Sequence, residues 1–254
     1  RWDAVNTVEF RTWASRSRLP EASRSLARAE VAVGQSFRRE PVTPEAWAGP
    51  GPAPVYGWSL RGSTYARGLV ETRRTVRNGR IEARFRTVAA GALGGTAVPL
   101  QRRIFLAGAD PYATFANPFL RSRGALFARD GVHYQAPGGA GLRGYAAAAS
   151  ATWVVALNAE AGLRLLDRPQ RRFVSALTAA AFADVALLDR AALGRAVAAD
   201  AGVGLRAAHR IGPTRFVTRV DLPLVVTRPA AAVAGASGEG VFKFRWVWSL
   251  EEAF

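Results

Sequence analysis

The sequence predicts an all-β protein and, within that class, an antiparallel transmembrane β-barrel of about ten strands. Most of its extended segments alternate between apolar and polar or charged residues, the period-two pattern of a strand with two different faces. No run approaches the roughly 20 apolar residues that a transmembrane helix needs. The mean hydropathy of +0.01 fits strands that alternate in this way. We therefore expect residues 1–254 to form one β-barrel domain. Because the sequence contains no Met and opens on no signal-peptide segment, we expect it to be the C-terminal part of a longer chain.

The last segment, residues 242–254, shows the alternation most clearly. Its even positions are apolar, apart from Glu252, and are occupied by Phe242, Phe244, Trp246, Trp248, Leu250 and Phe254. A row of aromatic side chains on one face suits a strand whose outer surface meets lipid. Because the apolar register continues to Phe254, we expect the strand to be packed to its last residue. The alternative is an edge strand of a soluble β-sandwich.

The same alternation predicts the strands in the first half of the chain. They cover residues 5–13, 27–37, 56–77, 81–87 and, less regularly, 97–107. The Pro- and Gly-rich stretch from Pro41 to Pro54 is predicted to be a loop. Asn78-Gly79 predicts a hairpin turn, because both residues tolerate positive φ angles.

Between residues 108 and 149 the alternation lapses, and Gly, Pro, Asp and Arg become frequent. A loop of this length is uncommon in a compact domain and is usually functional or disordered. Its aromatic and apolar side chains indicate that it packs against another part of the protein. We therefore expect this loop to fold back onto the strands.

Four more alternating segments precede the terminal strand, over residues 152–163, 173–185, 195–207 and 216–226. In the last of them, Phe216, Val220, Leu222 and Leu224 are predicted to share the apolar face. The Ala-rich stretch 191–201 is where a helix is the main alternative to a strand.

Nearly every predicted strand has one apolar face and one face that bears charges of both signs. A soluble sandwich would need that charged face in bulk water. A barrel places the charged face in a wet lumen and leaves no sheet edge open to lipid. The two-faced pattern therefore favours the barrel.

Composition argues against several other functions. The net charge is +16, but the Arg residues are scattered along strands and not gathered in one basic segment, which argues against nucleic acid as a partner. The chain has no Cys, and His133 and His209 lack nearby ligand partners, so we expect no metal or other cofactor. Common hydrolase and phosphate-binding motifs do not occur, and we expect no enzymatic activity.

A series of short motifs resembles the strands and loop of a known superfamily. In order they are Leu142-Arg143-Gly144-Tyr145, Phe182-Ala183-Asp184, Gly202-Val203-Gly204-Leu205-Arg206, Gly212-Pro213 and Asp221-Leu222-Pro223-Leu224. The first is similar to the V/I-R-G-F/Y motif, and the second to the F-x-D-x-G motif, of the outer-membrane assembly and two-partner-secretion barrels typified by BamA and FhaC. This superfamily includes the bacterial surface antigen family. The resemblance covers residues 108–254.

The resemblance implies that the 108–149 loop folds into the barrel lumen, where Asp184 holds Arg143. Glu160, which the alternation places on the same face, is expected to assist this ion pair, because an Arg presents a rigid fork of donors to carboxylates. Gly144 is expected to permit a tight turn and Tyr145 to anchor the loop by packing. An Arg at this position would also keep both carboxyl groups ionised, which argues against their acting as a glycosidase pair.

The remaining motif residues complete the expected site and its departures. Leu142 and Phe182 belong to the two motifs, and the resemblance assigns the C-terminal insertion signal to Trp246, Trp248, Leu250 and Phe254. Ala186 stands where the family motif has Gly, and ten strands fall short of the family's usual sixteen. Strand alternation also puts the Pro41 to Pro54 loop on the periplasmic side with the C-terminus, where turns are normally short.

The functional expectation follows from the resemblance. It implies a barrel in the outer membrane of a Gram-negative-type bacterium that inserts or secretes client proteins. Its partners would be outer-membrane lipid and either the clients or other subunits of an assembly machinery. Two alternatives remain: a barrel that anchors a larger surface or periplasmic enzyme, and a passive pore.

Overall fold

The computed structural model describes residues 5–18, 23–41, 56–59, 64–95, 98–99, 102–106, 139–145, 150–168, 173–189, 196–211, 214–227 and 247–252. These residues form strands and turns, and none of them lies in an α-helix. Accordingly, this part of the chain contains no helix long and apolar enough to cross a membrane. The prediction of an all-β protein is confirmed for the described residues.

Twelve strands are present in the described residues. They are β1 (Val5–Arg18), β2 (Ser23–Pro41), β3 (Tyr56–Ser59), β4 (Thr64–Asn78), β5 (Ile81–Ala92), β6 (Ile104–Phe105), β7 (Ser150–Ala151), β8 (Trp153–Asp167), β9 (Val174–Leu188), β10 (Val197–Ile211), β11 (Thr214–Val226) and β12 (Val247–Glu252). Most of the long strands extend beyond their predicted limits, because alternation marks the two-faced centre of a strand better than its ends.

Ten of these strands form one large sheet in the order β1-β2-β4-β5-β8-β9-β10-β11-β12, with β3 paired to the end of β2. The short strands β6 and β7 form a separate ladder. Every described pairing is antiparallel. Among the described strands the sheet is open, with β1 and β12 at its two edges.

The β4–β5 hairpin turns where the sequence predicts. Gly79 has a φ of 56°, a left-handed conformation in which a side chain would be strained, and Asn78 pairs with Ile81 across the turn. The predicted hairpin is therefore present, but its two turn residues are Gly79 and Arg80. Asn78 is the last residue of β4, and its φ is not positive.

Two predicted elements differ from the structure, and the helix alternative at 191–201 does not hold for its described residues. The segment 56–77 is two separate strands, β3 and β4, and both pair with β2. The extended stretch 97–107 contributes only the short β6 among its described residues and no strand of the large sheet. The described part of the Ala-rich stretch belongs to β10 and is not helical, because pairing with β9 overrides the helix preference of Ala.

Because residues 97–107 add no strand to the large sheet, one strand fewer than predicted lies between β2 and the C-terminal strand. The loop after Pro41 is therefore at the other end of the sheet from the one predicted. Strand β2 ends at Pro41 at one end of the sheet, whereas β12 runs to the opposite end. The expectation that this loop shares the side of the C-terminal strand's end is therefore wrong. The loop residues after Pro41, up to Pro54, lie outside the described residues.

The two ends of the sheet differ in the length of their connections. At one end, here called the short-turn end, consecutive strands are joined through residues 19–22, 79–80, 168–173 and 212–213. At the other end, the long-connection end, neighbouring long strands of the sheet are joined through residues 42–63, which include β3, 93–152, which include β6 and β7, 189–196 and 227–246. Strand β12 runs towards the short-turn end.

The two faces of the sheet are inverted relative to a water-soluble protein. Charged and polar side chains of one face, the polar face, are buried: Glu30, Ser36, Glu71, Glu82, Asn158, Glu160, Asp184, Asp200, Arg206, Arg219 and Asp221. Large apolar side chains of the other, the apolar face, are exposed: Phe10, Val31, Val33, Val70, Ile81, Phe85, Trp153, Val155, Leu157, Leu163, Val185, Leu187, Val197, Val203, Leu205, Val220 and Val225. Globular proteins in water show the opposite distribution.

A β-bulge in β11 changes one predicted facing. The pairing of β10 with β11 steps from Ala201↔Val225 to Gly202↔Pro223 and passes over Leu224. An extra residue in one strand shifts the following residues to the other face. As a result Val225, and not Leu224, is the exposed apolar residue at this level of β11.

Candidate functional site

A short segment, residues 139–145, lies against the polar face and contains the predicted Leu-Arg-Gly-Tyr motif. Backbone hydrogen bonds join it to the end of β6: Ala140 N donates to Phe105 O at 2.9 Å, and Leu142 N donates to Leu106 O at 2.8 Å. Gly141 has a φ of 73°, so the chain turns there in a conformation that favours glycine. Of the predicted 108–149 loop, this segment is the part within the described residues.

Arg143 is buried at the centre of a set of carboxylates. Its Nε lies 3.2 Å from Asp184 Oδ2 on β9, and its Nη1 lies 3.0 Å from Glu160 Oε2 on β8. A third carboxylate, Asp221 on β11, has its Oδ2 3.7 Å from the same Nη1. The guanidinium carbon also lies 4.0 Å from the ring centroid of Phe182, a cation–π contact. The predicted contacts of Arg143 with Asp184 and Glu160 are therefore present.

Two further arginines compensate the carboxylates around Arg143. Arg206 Nη2 contacts Glu160 Oε2, and Arg219 Nε lies 2.6 Å from Asp221 Oδ2. Glu160 and Asp221 are thus each bound by Arg143 and by an arginine from the sheet, whereas Asp184 is bound by Arg143. Burying such a network is favourable only when its partners are satisfied, and removing one partner leaves a buried charge uncompensated.

Gly144 fits a space that no other residue would. Its backbone N donates to Asp200 Oδ2 on β10 at 3.1 Å. A Cβ on Gly144 would lie 2.4 Å from Val226 Cγ2 and 3.0 Å from Asp200 Cβ. The φ of Gly144 is not in the left-handed range, so backbone freedom is not the reason for a glycine here. The reason is that a residue without a side chain can approach the sheet this closely.

Asn158 connects the 139–145 segment to the wall on the other side of Arg143. Its Nδ2 lies within hydrogen-bond distance of Ala140 O, Gly141 O and Asp184 Oδ1, at 3.2, 3.3 and 3.1 Å. Its Oδ1 accepts from Arg86 Nη1 at 3.2 Å. Arg86 Nη2 also donates to Gly139 O at 2.8 Å.

These contacts follow a row of directly paired positions across four strand pairings. In order from β4 to β10 the row is Arg73, Arg86, Asn158, Asp184 and Asp200, here called the charged row. Two arginines face each other at one end and two aspartates at the other, and like charges directly opposite destabilise a sheet. The 139–145 segment complements both ends, since its carbonyl oxygens face Arg86 and Asn158 while Arg143 and the Gly144 N–H face the aspartates.

Tyr145 anchors the end of the segment nearest the long-connection end. Its Oη lies 3.0 Å from Thr227 O and also contacts the Thr227 hydroxyl. That hydroxyl in turn accepts from Ala199 N at 3.0 Å. Tyr145 therefore anchors by hydrogen bonding as well as by the predicted packing.

An apolar layer covers the polar face on the long-connection side of the charged row. It consists of Leu106, Ala140, Leu142, Tyr145, Ala151, Val154, Ala156, Ala186, Leu188, Ala198 and Val226. Leu142 is fully buried in it, as is Leu106. Ala186, which stands where the motif that this segment resembles has Gly, packs into the same layer and is 1% exposed.

A second ion-pair cluster lies on β1, β2 and β4. Glu9 accepts from Arg67 Nη2 at 3.2 Å and from Tyr65 Oη at 2.9 Å, and Arg67 Nη2 also lies 3.7 Å from Glu30. Arg102, just before β6, places its Nε 3.7 Å from Glu9 Oε2. The 102–106 stretch is thereby attached to the same polar face.

Several predicted residues fall outside the described part of the chain. Trp246 and Phe254 of the predicted insertion signal do so, as does His133. Trp248 and Leu250 lie on β12, paired with Val220 and Thr218 of β11.

The surroundings of the other histidine, His209, do not resemble a metal site. Its Nδ1 lies 3.0 Å from Phe173 O, and its ring stacks on Phe216 with a centroid distance of 4.8 Å. Within the described residues, no group of three or more His, Cys, Asp or Glu side chains is placed to hold a metal ion.

Sequence reasoning did not single out Arg86, Asn158, Asp200, Arg206 and Arg219 as site residues. The alternation gives the face of each such residue. It does not give the register between strands, which decides that Asn158 lies beside Asp184 and that Asp184 faces Asp200.

Comparison with known protein families and with curated proteins finds no match for this chain.

Proposed function

We propose that this chain forms the wall of an outer-membrane β-barrel related to the BamA and FhaC superfamily, and that the barrel inserts or secretes client proteins. The observation that carries the proposal is the inversion of the sheet, with buried ionic groups on one face and exposed aliphatic and aromatic groups on the other. Lipid-facing strands of a barrel have this pattern, because only the lumen offers water and counter-charges.

The exposed apolar face is too extensive for a protein dissolved as a monomer in water. It spans the sheet from Phe10 on β1 to Val220 on β11, and Phe10 is 75% exposed. Soluble monomers rarely expose contiguous apolar patches larger than a few hundred Å². Contact with lipid chains removes that cost without requiring a second protein layer.

The direction of the strands supports a barrel that is completed by further strands. Strands β1 and β12 both run towards the short-turn end, so pairing them directly would create a parallel seam. An all-antiparallel barrel needs an odd number of additional strands between them. Residues outside the described ranges, further chain, or another protein could supply these strands.

The connections support an orientation in the membrane. Outer-membrane barrels have short periplasmic turns and longer extracellular loops. By this rule the short-turn end faces the periplasm, and β12 runs towards that side. The 139–145 segment then enters the lumen from the extracellular side.

The role in handling client proteins rests on the resemblance around Arg143. Its contact with Asp184 is the one that the resemblance implies for a loop held in the lumen, and contacts with Glu160 and Phe182 add to it. A loop held by buried ion pairs closes the lumen, which suits a barrel that acts on clients through its wall or by controlled opening. An open diffusion pore would not need it.

Insertion of a client into liposomes tests the proposed function. The full-length protein is reconstituted, and a urea-unfolded outer-membrane protein is added as client. We expect the folded, protease-protected client to form faster than in empty liposomes or in liposomes holding an unrelated barrel of similar size. Equal rates in all three would contradict a role in insertion.

A secretion role and the two alternatives give different results in the same vesicles. Secretion predicts that an unfolded client added outside becomes protected in the interior without being embedded. A passive pore predicts steady ion conductance that Arg143→Ala leaves unchanged. A membrane anchor for an enzyme predicts neither client handling nor conductance.

A further inference from the structure

Arginines of the polar face gather between the charged row and the short-turn end. They come from β4, β5 and β8 and comprise Arg73, which is at one end of the charged row, together with Arg77, Arg84 and Arg164, here called the arginine patch. Arg73 and Arg77 have 43% of their side-chain surface exposed and Arg84 has 35%. This exposure distinguishes them from the buried arginines around Asp184.

Within the described residues, the carboxylates near these arginines are fewer than the arginines themselves. Arg73 Nε and Arg86 Nε share one oxygen of Glu71, at 2.7 and 2.6 Å. Arg77 Nη2 lies 2.7 Å from Glu82, which Arg84 Nε also contacts. Arg164 Nη2 also lies 3.9 Å from Glu82. Glu160, which is paired with Arg84 across β5 and β8, is itself bound by Arg143 and Arg206. Among the described residues, arginines therefore outnumber carboxylates in this part of the polar face.

The guanidinium groups also retain donors for a further partner. Arg73 and Arg84 each bind their glutamate through Nε, the inner nitrogen of the group. Within the described part of the chain, the terminal nitrogens of Arg73 and Arg84 make no hydrogen bond or ion pair. An arginine offers five N–H donors in a fixed fork that suits a carboxylate.

The geometry points to a docking surface for an acidic, extended polypeptide segment that enters from the short-turn end. Arg73 and Arg77 lie four residues apart on one face of β4, and Arg84 lies on the neighbouring strand, paired with Thr75. Same-face positions in a strand recur about every 7 Å, and neighbouring strands lie about 4.8 Å apart. Arg73 and Arg77 are therefore about 14 Å apart along β4, which matches every second carboxylate on one side of an extended segment.

The position of the patch favours a polypeptide over a lipid headgroup. The arginines point away from the exposed apolar face that carries Val70, Phe85 and Leu163. A headgroup would have to leave the bilayer surface to reach the opposite face of the sheet. The apolar layer around Leu142 covers the polar face on the long-connection side, so access is from the short-turn end. This inference rests on the proposed function, in which that end faces the periplasm and receives unfolded clients.

Peptide binding to the full-length protein tests the inference. Fluorescence anisotropy follows a labelled peptide of alternating Glu and Ser in detergent micelles and in nanodiscs, and a Gln-Ser peptide serves as the neutral control. We expect the Glu-Ser peptide to bind, with an affinity that falls as salt concentration rises. Absence of binding, or equal binding of the neutral peptide, would overturn the inference.

Two triple variants with the same change in net charge locate the site. Arg73→Gln/Arg77→Gln/Arg84→Gln removes the patch, whereas Arg16→Gln/Arg18→Gln/Arg74→Gln removes arginines whose strand positions place them on the opposite face. We expect about tenfold weaker binding for the first, because it removes three partly exposed guanidinium groups that would contact carboxylates of the peptide. The second should bind as the parent does. Equal weakening by both variants would mean that the peptide responds to the net charge of the protein and not to the arginine patch, and would overturn the inference.

A variant with the opposite effect keeps the test decisive if the first triple variant fails to fold. Glu71→Gln/Glu82→Gln removes the two glutamates and frees their arginines, so the Glu-Ser peptide should bind more tightly. Unchanged or weaker binding would overturn the inference. Binding in micelles is measured independently of membrane insertion, so its failure is distinguishable from failure of the proposed barrel.

Discussion

Asp184 on β9 and Asp200 on β10 lie directly opposite each other in the sheet, and both are buried, at 1% and 4% exposure. Two like charges in such a position repel each other unless other groups compensate them. Arg143 contacts the first at 3.2 Å, and the Gly144 N–H donates to the second at 3.1 Å. The 139–145 segment therefore stabilises a pair of strands that would be unfavourable without it.

Neutralising the two aspartates separately should have opposite effects. Asp200→Asn removes one like charge and keeps an oxygen that can accept from Gly144 N, so we expect folding stability to be unchanged or raised. Asp184→Asn removes a partner of Arg143 and should cost about 1 to 3 kcal/mol. The temperature at which the folded band disappears in gel electrophoresis measures both. A larger loss from Asp200→Asn than from Asp184→Asn would contradict this assignment.

The Arg143–Asp184 contact should behave as a coupled pair. Arg143→Ala, Asp184→Ala and the double variant, made in the full-length protein, form a cycle read by heat-resistant folding and by channel conductance. Arg143→Ala leaves the buried Asp184 without its arginine, so we expect a cost of about 3 to 5 kcal/mol. Asp184→Ala should cost less, because Arg143 keeps its contacts with Glu160 and Asp221. We expect the double variant to be clearly less costly than the sum of the two single changes.

A matched cycle between Arg143 and Glu82 provides the control. Glu82 binds arginines of the arginine patch and has no contact with Arg143. The effects of Arg143→Ala and Glu82→Gln should add. Additive effects in both cycles would show that Arg143 is not held by Asp184.

Adding a single methyl group at Gly144 should displace the segment. Gly144→Ala places a Cβ 2.4 Å from Val226 Cγ2, closer than packed atoms approach, so we expect a higher open-channel conductance and lower heat resistance. Val226→Ala in the same chain removes the contacting methyl groups and should restore part of both properties. No effect of Gly144→Ala would mean that the segment is not packed on β10 and β11 as described.

Changing Asn158 to Asp tests the polarity of the charged row. The variant replaces an amide that donates to Ala140 O, Gly141 O and Asp184 with a carboxylate that repels all three. We expect a loss of about 1 to 3 kcal/mol in stability and a more conductive channel. Asn158→Gln, which keeps the amide, is the control for polarity and should be milder. A result in which Asp is tolerated better than Gln would contradict the proposed polarity.

The sequence predicts the faces of the strands well, because alternation reports side-chain direction directly. Trp153, Leu157 and Val203 are exposed as expected, and Glu160 and Asp184 are buried on the opposite face. Strand ends and the irregular stretch 97–107 are predicted less well, because pairing partners determine where a strand ends.

The composition of the site is only partly predictable, for a related reason. The Arg143 contacts follow from the motif resemblance, but the roles of Asn158 and Asp200 depend on register. A β-bulge such as the one at Leu224 cannot be anticipated from alternation, because it inserts a residue that breaks the period. Close approach at Gly144 likewise depends on the position of Val226.

The most direct test of the central claim measures which face of the sheet meets lipid. Because this chain contains no Cys, a nitroxide can be attached to single cysteines introduced at chosen positions. Leu157 and Val203 represent the apolar face, and Thr75, paired with Arg84, represents the polar face.

Each labelled full-length variant is reconstituted in liposomes, and spin relaxation by oxygen is compared with relaxation by a water-soluble nickel chelate. We predict preferential access of oxygen at Leu157 and Val203 and of the nickel chelate at Thr75. Access of the nickel chelate at Leu157 and Val203 would show that the apolar face is not in contact with lipid, and would contradict the barrel.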